Sequence, residues 1–215
     1  MIDLINMSNV RLKIGALASG RGTNLQAILD SIKRGDLKSA IAVVISNKKD
    51  APALERASNE GIDTVYVDPS AFKDRASYDM EILDILRRYS VDLVVLAGYM
   101  RIVTGPLIDA YRNRIINVHP ALLPSFPGMS AQRQALEYGV KIAGCTVHFV
   151  EEGVDKGPII AQAAVPVLEG DTEESLSARI LKEEHKLFPY SIRLYEEGRI
   201  SVSGRRIAIN PGGRA

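Results

Sequence analysis

The sequence is poor in cysteine, histidine and net charge, and each shortage excludes a class of protein. Its one cysteine, Cys145, cannot form an intramolecular disulfide, so we expect a reducing cytoplasm to be its setting. That cysteine and three scattered histidines form no cluster for a metal, so we expect no metal cofactor. Lysine and arginine number 27 against 26 acidic residues, and the charge of +1 gives no general attraction to nucleic acid or to an anionic membrane.

Long apolar runs are also missing. No stretch approaches the roughly 18 apolar residues that span a membrane, and residues 1–10 lack the basic start and apolar core of an export signal. We therefore expect a soluble protein that is not exported. The 215 residues, 46% of them hydrophobic, are enough to bury a core, and we predict one domain across residues 1–215.

The first half alternates β-branched apolar runs with segments of helical periodicity. This rhythm predicts an α/β fold, a doubly wound and mostly parallel sheet with helices on both faces. Strands are predicted near Leu12–Leu17, Ala40–Ser46, Thr64–Val67, Asp92–Ala97 and Ile115–His119, and helices at Asn24–Lys33, Pro52–Glu60 and Arg75–Tyr89. Ligands of such sheets bind beyond the carboxyl ends of the strands, so the site should lie at that edge. The loops that open there start at Ala18, Ser46, Ala97 and Asn117.

The second half predicts a different arrangement. Two strand-like runs, Gly144–Val150 and Ile159–Val167, are joined by a short polar loop and therefore predict an antiparallel hairpin. Residues Asp171–Glu174 have capping-box spacing and should begin a long amphipathic helix, which Pro189 should kink or interrupt. A short β-ribbon is expected from Arg199, with a frayed tail over residues 210–213.

The strand at Ile115–His119 ends in two polar side chains. Asn117 and His119 are two residues apart, so on a strand they share one face, where a neutral donor would lie beside a group that can carry a proton near pH 7. Pro120 and Pro124 stiffen the segment that follows. The pair suits an oxyanion formed during acyl transfer, although a histidine at a strand end can also be an ordinary hydrogen-bonded residue.

A glycine-rich loop, Ser19–Asn24, follows the first strand and opens the first helix. Free backbone N–H groups and the helix dipole there favour an anion such as phosphate. The third glycine of a dinucleotide fingerprint is missing, and no Gly-Lys-Ser/Thr follows, so a P-loop is not indicated. The alternative is a tight strand-to-helix turn capped by Thr23 or Asn24.

Two further loops offer groups for this edge of the sheet. Asp155 lies in an acidic loop before Gly157 and could place its carboxylate beside His119, where it would stabilise the imidazolium; otherwise it only shapes a turn. The segment Gly98–Val103 could wall an aromatic ligand or simply pack beneath the loop. His148 should face away from Cys145, and neither it nor His185 is a first choice for chemistry.

Four motifs, taken in order, resemble the folate-dependent phosphoribosylglycinamide formyltransferases of purine biosynthesis, from about Leu12 to Gly198. They are Ser19-Gly-Arg-Gly-Thr-Asn-Leu, Ala97-Gly-Tyr-Met-Arg-Ile, Asn117-Val-His-Pro-Ala-Leu-Leu-Pro, and Cys145-Thr-Val-His-Phe-Val through Asp155-Lys-Gly-Pro-Ile-Ile. The resemblance implies transfer of a formyl group from 10-formyltetrahydrofolate to the amine of glycinamide ribonucleotide. It also implies a nucleotide-phosphate half of about 11–112, a catalytic and folate half of about 113–200, and a monomer or homodimer.

The resemblance assigns roles by position. Catalysis falls to His119, Asn117 and Asp155. Nucleotide-binding positions are Gly22, Thr23, Asn24, Leu181, Lys182, Glu183 and Glu184, with Glu184 the main contact on the helix. Folate-binding positions are Arg75, Met100, Arg101, Ile102, Val103, Asn117, Glu151, Glu152, Gly153, Val154 and Asp155.

The chain departs from the family pattern in one segment. Bacterial members carry histidines in a Pro-Gly-x-His-x-His-Arg stretch, whereas Gly128–Arg133 has none here, which puts an auxiliary role for Ser130 and Gln132 in doubt. Methionyl-tRNA formyltransferase and formyltetrahydrofolate deformylase share the His-Pro core but are expected to need further domains, and the near-neutral charge disfavours tRNA. A non-catalytic nucleotide-binding protein is the remaining alternative; it would give no reason to group Asn117, His119 and Asp155.

Overall fold

A computed structural model describes residues 11–212, and the export-signal prediction for residues 1–10 lies outside that range, as does Gly213 in the predicted tail. The first five strands are β1 (Lys13–Ala18), β2 (Ala40–Ser46), β3 (Thr64–Tyr66), β4 (Leu93–Leu96) and β5 (Ile115–His119). The helices are α1 (Thr23–Lys33), α2 (Pro52–Asn59), α3 (Arg75–Arg88), α4 (Gly105–Ala110), α5 (Ala131–Tyr138) and α6 (Glu173–Glu196). The last strands are β6 (Ile142–Phe149), β7 (Ile159–Pro166), β8 (Ile200–Ser203) and β9 (Arg206–Ile209).

One sheet of seven strands organises the molecule, in the order β3-β2-β1-β4-β5-β6-β7. The first five strands run parallel, and β6 and β7 are antiparallel to their neighbours, as the sequence predicted. The chain leaves β1 in one direction for β2 and β3, and later in the other for β4 and β5. That reversal opens a crevice at the carboxyl ends of β1 and β4, where such sheets bind ligands.

Each face of the sheet is covered by its own helices. Leu25 and Ile28 of α1 pack with Phe188 and Ile192 of α6 in one buried cluster, which also includes Cys145. On the other face, α3 and α4 pack against β4 in a second cluster. The fold is therefore doubly wound, and the predicted α/β class is confirmed. No helix within residues 11–212 is long and apolar enough to cross a membrane.

Three local differences separate the structure from the sequence prediction. The short helices α4 and α5 were not predicted, because six and eight residues give little periodicity to detect. Helix α6 was expected to be kinked or interrupted at Pro189, and it is not interrupted, since it continues as one helix of 24 residues. Phe188 and Ile192 are wholly buried on either side of that proline, so their packing holds the helix across the missing N–H. The β8–β9 ribbon agrees with the prediction.

Candidate active site

A cleft of about 620 Å³ opens at the predicted edge of the sheet. Its walls come from the ends of β4 and β5, from β6, and from the loops that follow them. Asn117 and His119, the two polar residues in the last half of β5, both line it. Also lining it are the predicted folate positions Arg75, Met100, Arg101, Ile102, Val103, Glu151, Gly153, Val154 and Asp155. The structure thus gathers in one cavity residues that are up to 80 positions apart in the chain.

His119 and Asp155 form a buried pair in this cleft. Nδ1 of His119 lies 3.2 Å from Oδ2 of Asp155, and the histidine is only 4% exposed. Its Nε2 lies 2.8 Å from the backbone oxygen of Phe126. Because a carboxylate and a carbonyl oxygen only accept hydrogen bonds, both ring nitrogens can donate at once in the imidazolium. Both ring nitrogens therefore face acceptor atoms, an arrangement that suits the protonated ring.

Asp155 is fixed by the loops on either side of the cleft. It has a left-handed backbone with φ of 53°, and its Oδ2 accepts a hydrogen bond of 2.8 Å from the backbone N–H of Gly128. The residue therefore shapes its turn and also faces His119, so the two sequence alternatives are compatible. A carboxylate with these partners is aimed at the imidazole before any ligand binds.

His148 belongs to the same group, although on sequence grounds it was not a first choice for chemistry; its Nε2 lies 3.7 Å from Oδ1 of Asp155. The antiparallel pairing of β5 and β6 places it opposite Asn117, and its Nε2 lies 3.2 Å from the Asn117 Nδ2. Nδ1 donates to the Phe149 backbone oxygen at 2.8 Å, which leaves Nε2 as the acceptor. Burial lowers the pKa of His148 and keeps it neutral. His148 therefore orients the Asn117 amide, a role that strand register could have revealed.

The glycine-rich loop leads directly into α1. Gly22 takes a left-handed φ of 70° at the N-cap, and no side chain caps the helix, so the predicted capping by Thr23 or Asn24 does not occur. Arg56 on α2 donates from Nε to the Arg21 backbone oxygen at 2.8 Å. Among residues 11–212, no side chain caps the first N–H groups of α1, so these groups can meet an anion.

Asn24 and Glu184 join this loop to α6. The Asn24 Nδ2 donates to Oε2 of Glu184 at 2.8 Å, across 160 residues of sequence. Glu184 is only 7% exposed, and burial raises the pKa of its carboxyl group. Oδ1 of Asn24 is buried without a hydrogen-bond partner within residues 11–212. A buried carboxylate beside an unused acceptor is suited to a ligand rich in hydroxyl groups.

A second, smaller cavity of about 290 Å³ lies between α1, α2 and α6. His185, which follows Glu184, lines it, and its Nε2 is a buried atom with no partner among the described residues. Burial lowers the pKa of this histidine. The other lining residues are Thr23, Gln26, Ala27, Asp30, Arg34 and Arg56.

The remaining predicted positions are less involved. Leu181 is half-buried, Lys182 is exposed, and Glu183 pairs with Lys186 at 2.8 Å. Glu152 is the one predicted folate position that does not line the large cleft. Ser130 and Gln132, which replace the family histidines, do line it.

Comparison with known proteins places this architecture in a family. The model of the formyl transferase family matches residues 12–192. A phosphoribosylglycinamide formyltransferase of Escherichia coli is 44% identical over 191 residues, covering 89% of this chain and 90% of that protein. This chain belongs to the phosphoribosylglycinamide formyltransferase family.

Solved members of the family have the same fold. A glycinamide ribonucleotide transformylase from Symbiobacterium toebii superposes with a TM-score of 0.93 at 57% identity, covering 94% of this chain and 96% of that one. The chain also matches a bovine trifunctional purine biosynthetic protein at 44% identity, over 91% of this chain but only 20% of that protein. A formyltetrahydrofolate deformylase from Pseudomonas syringae is more distant, at 30% identity, a TM-score of 0.87, and coverage of 94% of this chain and 67% of that one.

Proposed function

We propose that this formyltransferase transfers the formyl group of 10-formyltetrahydrofolate to the amine of glycinamide ribonucleotide. The products are formylglycinamide ribonucleotide and tetrahydrofolate, a step of de novo purine biosynthesis. The observation that carries the proposal is the buried His119–Asp155 pair beside Asn117, in a chain of this family. We place the reaction in the cytoplasm, a reducing compartment that suits a chain whose one cysteine, the buried Cys145, can form no intramolecular disulfide.

Nucleophilic attack by the neutral substrate amine begins the reaction. Its nitrogen bonds to the formyl carbon, and the carbonyl electrons move to oxygen to give a tetrahedral oxyanion. The Asn117 Nδ2–H and the protonated His119 donate to that oxygen. His119 must exchange its contact with the Phe126 carbonyl for the ligand, a small movement within the cleft.

Collapse of the intermediate completes the transfer. The oxyanion re-forms the carbonyl, the bond from carbon to the folate nitrogen breaks, and that nitrogen takes a proton while the attacking nitrogen loses one. Asp155 orients the His119 ring by accepting from Nδ1. Asn117, held by neutral His148, donates a hydrogen bond from an amide group that does not ionise.

Each substrate has a matching part of the site. The nucleotide phosphate would meet the N–H groups after Gly22, and the ribose hydroxyls would meet Glu184 and the free Oδ1 of Asn24. The folate would occupy the large cleft, between the Met100–Val103 wall and the loop that carries Asp155. Asn117 would lie where the two ligands meet.

Hydrolysis of formyltetrahydrofolate is the second candidate, since a deformylase shares the fold. The two reactions separate in a spectrophotometric assay that follows folate conversion with and without glycinamide ribonucleotide. We expect conversion only when the nucleotide is present, together with formation of formylglycinamide ribonucleotide. Equal conversion without nucleotide would assign the chain to the hydrolase reaction, and binding of either ligand without conversion would indicate a binding protein.

A further inference from the structure

Of the four residues in the Met100–Val103 wall of the folate cleft, Val103 is buried in the apolar cluster that includes α3 and α4, whereas the other three are partly or largely exposed. This segment joins β4 to α4 without regular secondary structure, and Met100 and Ile102 are 70% and 49% exposed. Apolar side chains in solvent do not fix a backbone. The shape of this wall must therefore be set by contacts made behind it.

Asp79 of α3 provides the strongest of those contacts. Its Oδ2 accepts two hydrogen bonds from Thr104, one from the backbone N–H and one from the hydroxyl, each 2.7 Å long. Asp79 is only 2% exposed, and it lines neither cavity. A buried carboxylate is unfavourable unless it is well paired, so these two bonds are what make it tolerable.

Two aromatic contacts join the same helix to the same wall. The Tyr99 hydroxyl donates to the Tyr78 hydroxyl at 3.3 Å, and the Arg101 guanidinium lies 4.4 Å from the centre of the Tyr78 ring. At the start of the wall, the Met100 N–H donates to Oγ of Ser19 at 2.8 Å. The wall is thus attached to the loop after β1 at its start, and to α3 through Tyr78 and Asp79.

Helix α3 also carries a cleft residue at its beginning, Arg75. Burial raises the pKa of Asp79, and the hydrogen bonds from Thr104 and the positive charges of Arg101 and Arg75, both of which line the cleft, act in the opposite direction. A change at Asp79 would alter the position of the wall through Thr104, without touching a ligand.

We infer that Asp79 is a positioning residue for folate, which fixes the Met100–Val103 wall by accepting both hydrogen bonds of Thr104. This rests on the proposed function, because the occupant of the cleft is taken to be the folate. The inference predicts that a change at Asp79 alters the KM for the folate but not the KM for glycinamide ribonucleotide, since the wall that Asp79 positions lines the folate cleft. A merely structural residue would lower stability and affect both substrates equally.

The test compares Asp79→Ala and Asp79→Asn with Asp84→Ala. Asp84 is an exposed aspartate of the same helix that pairs with Arg87 at 3.6 Å. Asp79→Ala should raise the KM for 10-formyltetrahydrofolate about tenfold and leave the KM for glycinamide ribonucleotide within about twofold. In Asp79→Asn most of this rise in the folate KM should disappear, because the amide oxygen can accept both hydrogen bonds from Thr104. Asp84→Ala should match the wild type.

A second pair of variants, at Thr104, tests the same hydrogen bonds in case Asp79→Ala does not fold. Thr104→Val removes one of the two hydrogen bonds and should raise the folate KM about threefold, and Thr104→Ser should restore it. Fluorescence titration with a folate analogue that cannot transfer its formyl group measures the same effect without turnover. Equal KM changes for both substrates, or unchanged folate binding in folded Asp79→Ala, would overturn the inference. Wild-type protein that binds the analogue but does not formylate the nucleotide would instead refute the proposed function alone.

Discussion

Nδ1 of His119 lies 3.2 Å from Oδ2 of Asp155, at the point where the last parallel strand of the sheet meets the antiparallel hairpin. The histidine ends β5, and the aspartate lies in the loop between β6 and β7. Their contact therefore exists only because the sheet changes direction there. It connects the fold directly to the chemistry proposed for the cleft.

Removal of the charge on Asp155 tests that contact. Asp155→Asn keeps an oxygen that can accept from the Gly128 N–H, but it no longer stabilises the imidazolium of His119. We expect kcat to fall about a hundredfold with little change in either KM. Asp109→Asn, at an exposed aspartate paired with Arg112, is the control and should behave as wild type. Unchanged kcat in Asp155→Asn would show that the pair has no catalytic role.

Gly22 should not tolerate a side chain. A Cβ there would lie 2.8 Å from Cα of Ala53, and the φ of 70° already disfavours other residues. Gly22→Ala should lower the free energy of unfolding by more than about 1 kcal/mol and raise the KM for glycinamide ribonucleotide about tenfold. Gly20→Ala, where a Cβ meets nothing within 4 Å, is the matched control for stability. A normal KM for glycinamide ribonucleotide in Gly22→Ala would contradict the proposal that the nucleotide phosphate binds at this loop.

Glu184 should be important for nucleotide binding and unfavourable for stability. Its pKa is raised in the folded state, so ionisation is less favourable there than in the unfolded chain. At a pH where the carboxyl group is ionised, it therefore lowers the free energy of unfolding. Glu184→Gln should therefore be as stable as wild type or more stable at pH 7, with the difference shrinking as pH falls, while the nucleotide KM rises about tenfold. Thermal unfolding at several pH values checks the first part and steady-state kinetics the second. A variant that is less stable at pH 7 with normal KM would contradict both.

His148 should make stability fall in mild acid. Its pKa in the folded state is below the ordinary value of 6.5, so the unfolded chain takes up a proton first as pH falls through 6.5. The contribution of neutral His148 to the free energy of unfolding is fully present above pH 6.5 and is progressively lost below it. His148→Gln should show a smaller loss of unfolding free energy between pH 7 and pH 5, measured by denaturant titration, and His185 contributes equally in both proteins. Identical pH profiles would mean that His148 is not held neutral.

The sequence predicted the sheet well because its strands are continuous apolar runs with clear ends. It also singled out Asn117 and His119 as candidates, since a polar pair at the end of a buried strand is an unusual local pattern, and the structure places both in one cleft with Asp155. His148 was missed because its role depends on which residue lies opposite it in β5, and pairing register cannot be read from one strand alone.

Other features required the packed molecule. The link between Asn24 and Glu184 spans 160 residues, and its residues were suggested only through the family resemblance. Asp79 has the same local pattern as any helical aspartate, and only the close approach of Thr104 separates it from the exposed Asp84. Pro189 was expected to kink or interrupt α6, and the interruption does not occur, because buried packing on both sides holds the helix together.

The most direct test of the account is the turnover of His119→Ala in the complete formyl-transfer reaction, beside wild type and with folding checked by thermal unfolding. We expect a folded variant whose kcat is lower by about a hundredfold to a thousandfold, with both substrates still bound, because one oxyanion donor and its charge are removed. A folded His119→Ala protein that formylates glycinamide ribonucleotide at nearly the wild-type rate would contradict the central role of the His119–Asp155 pair.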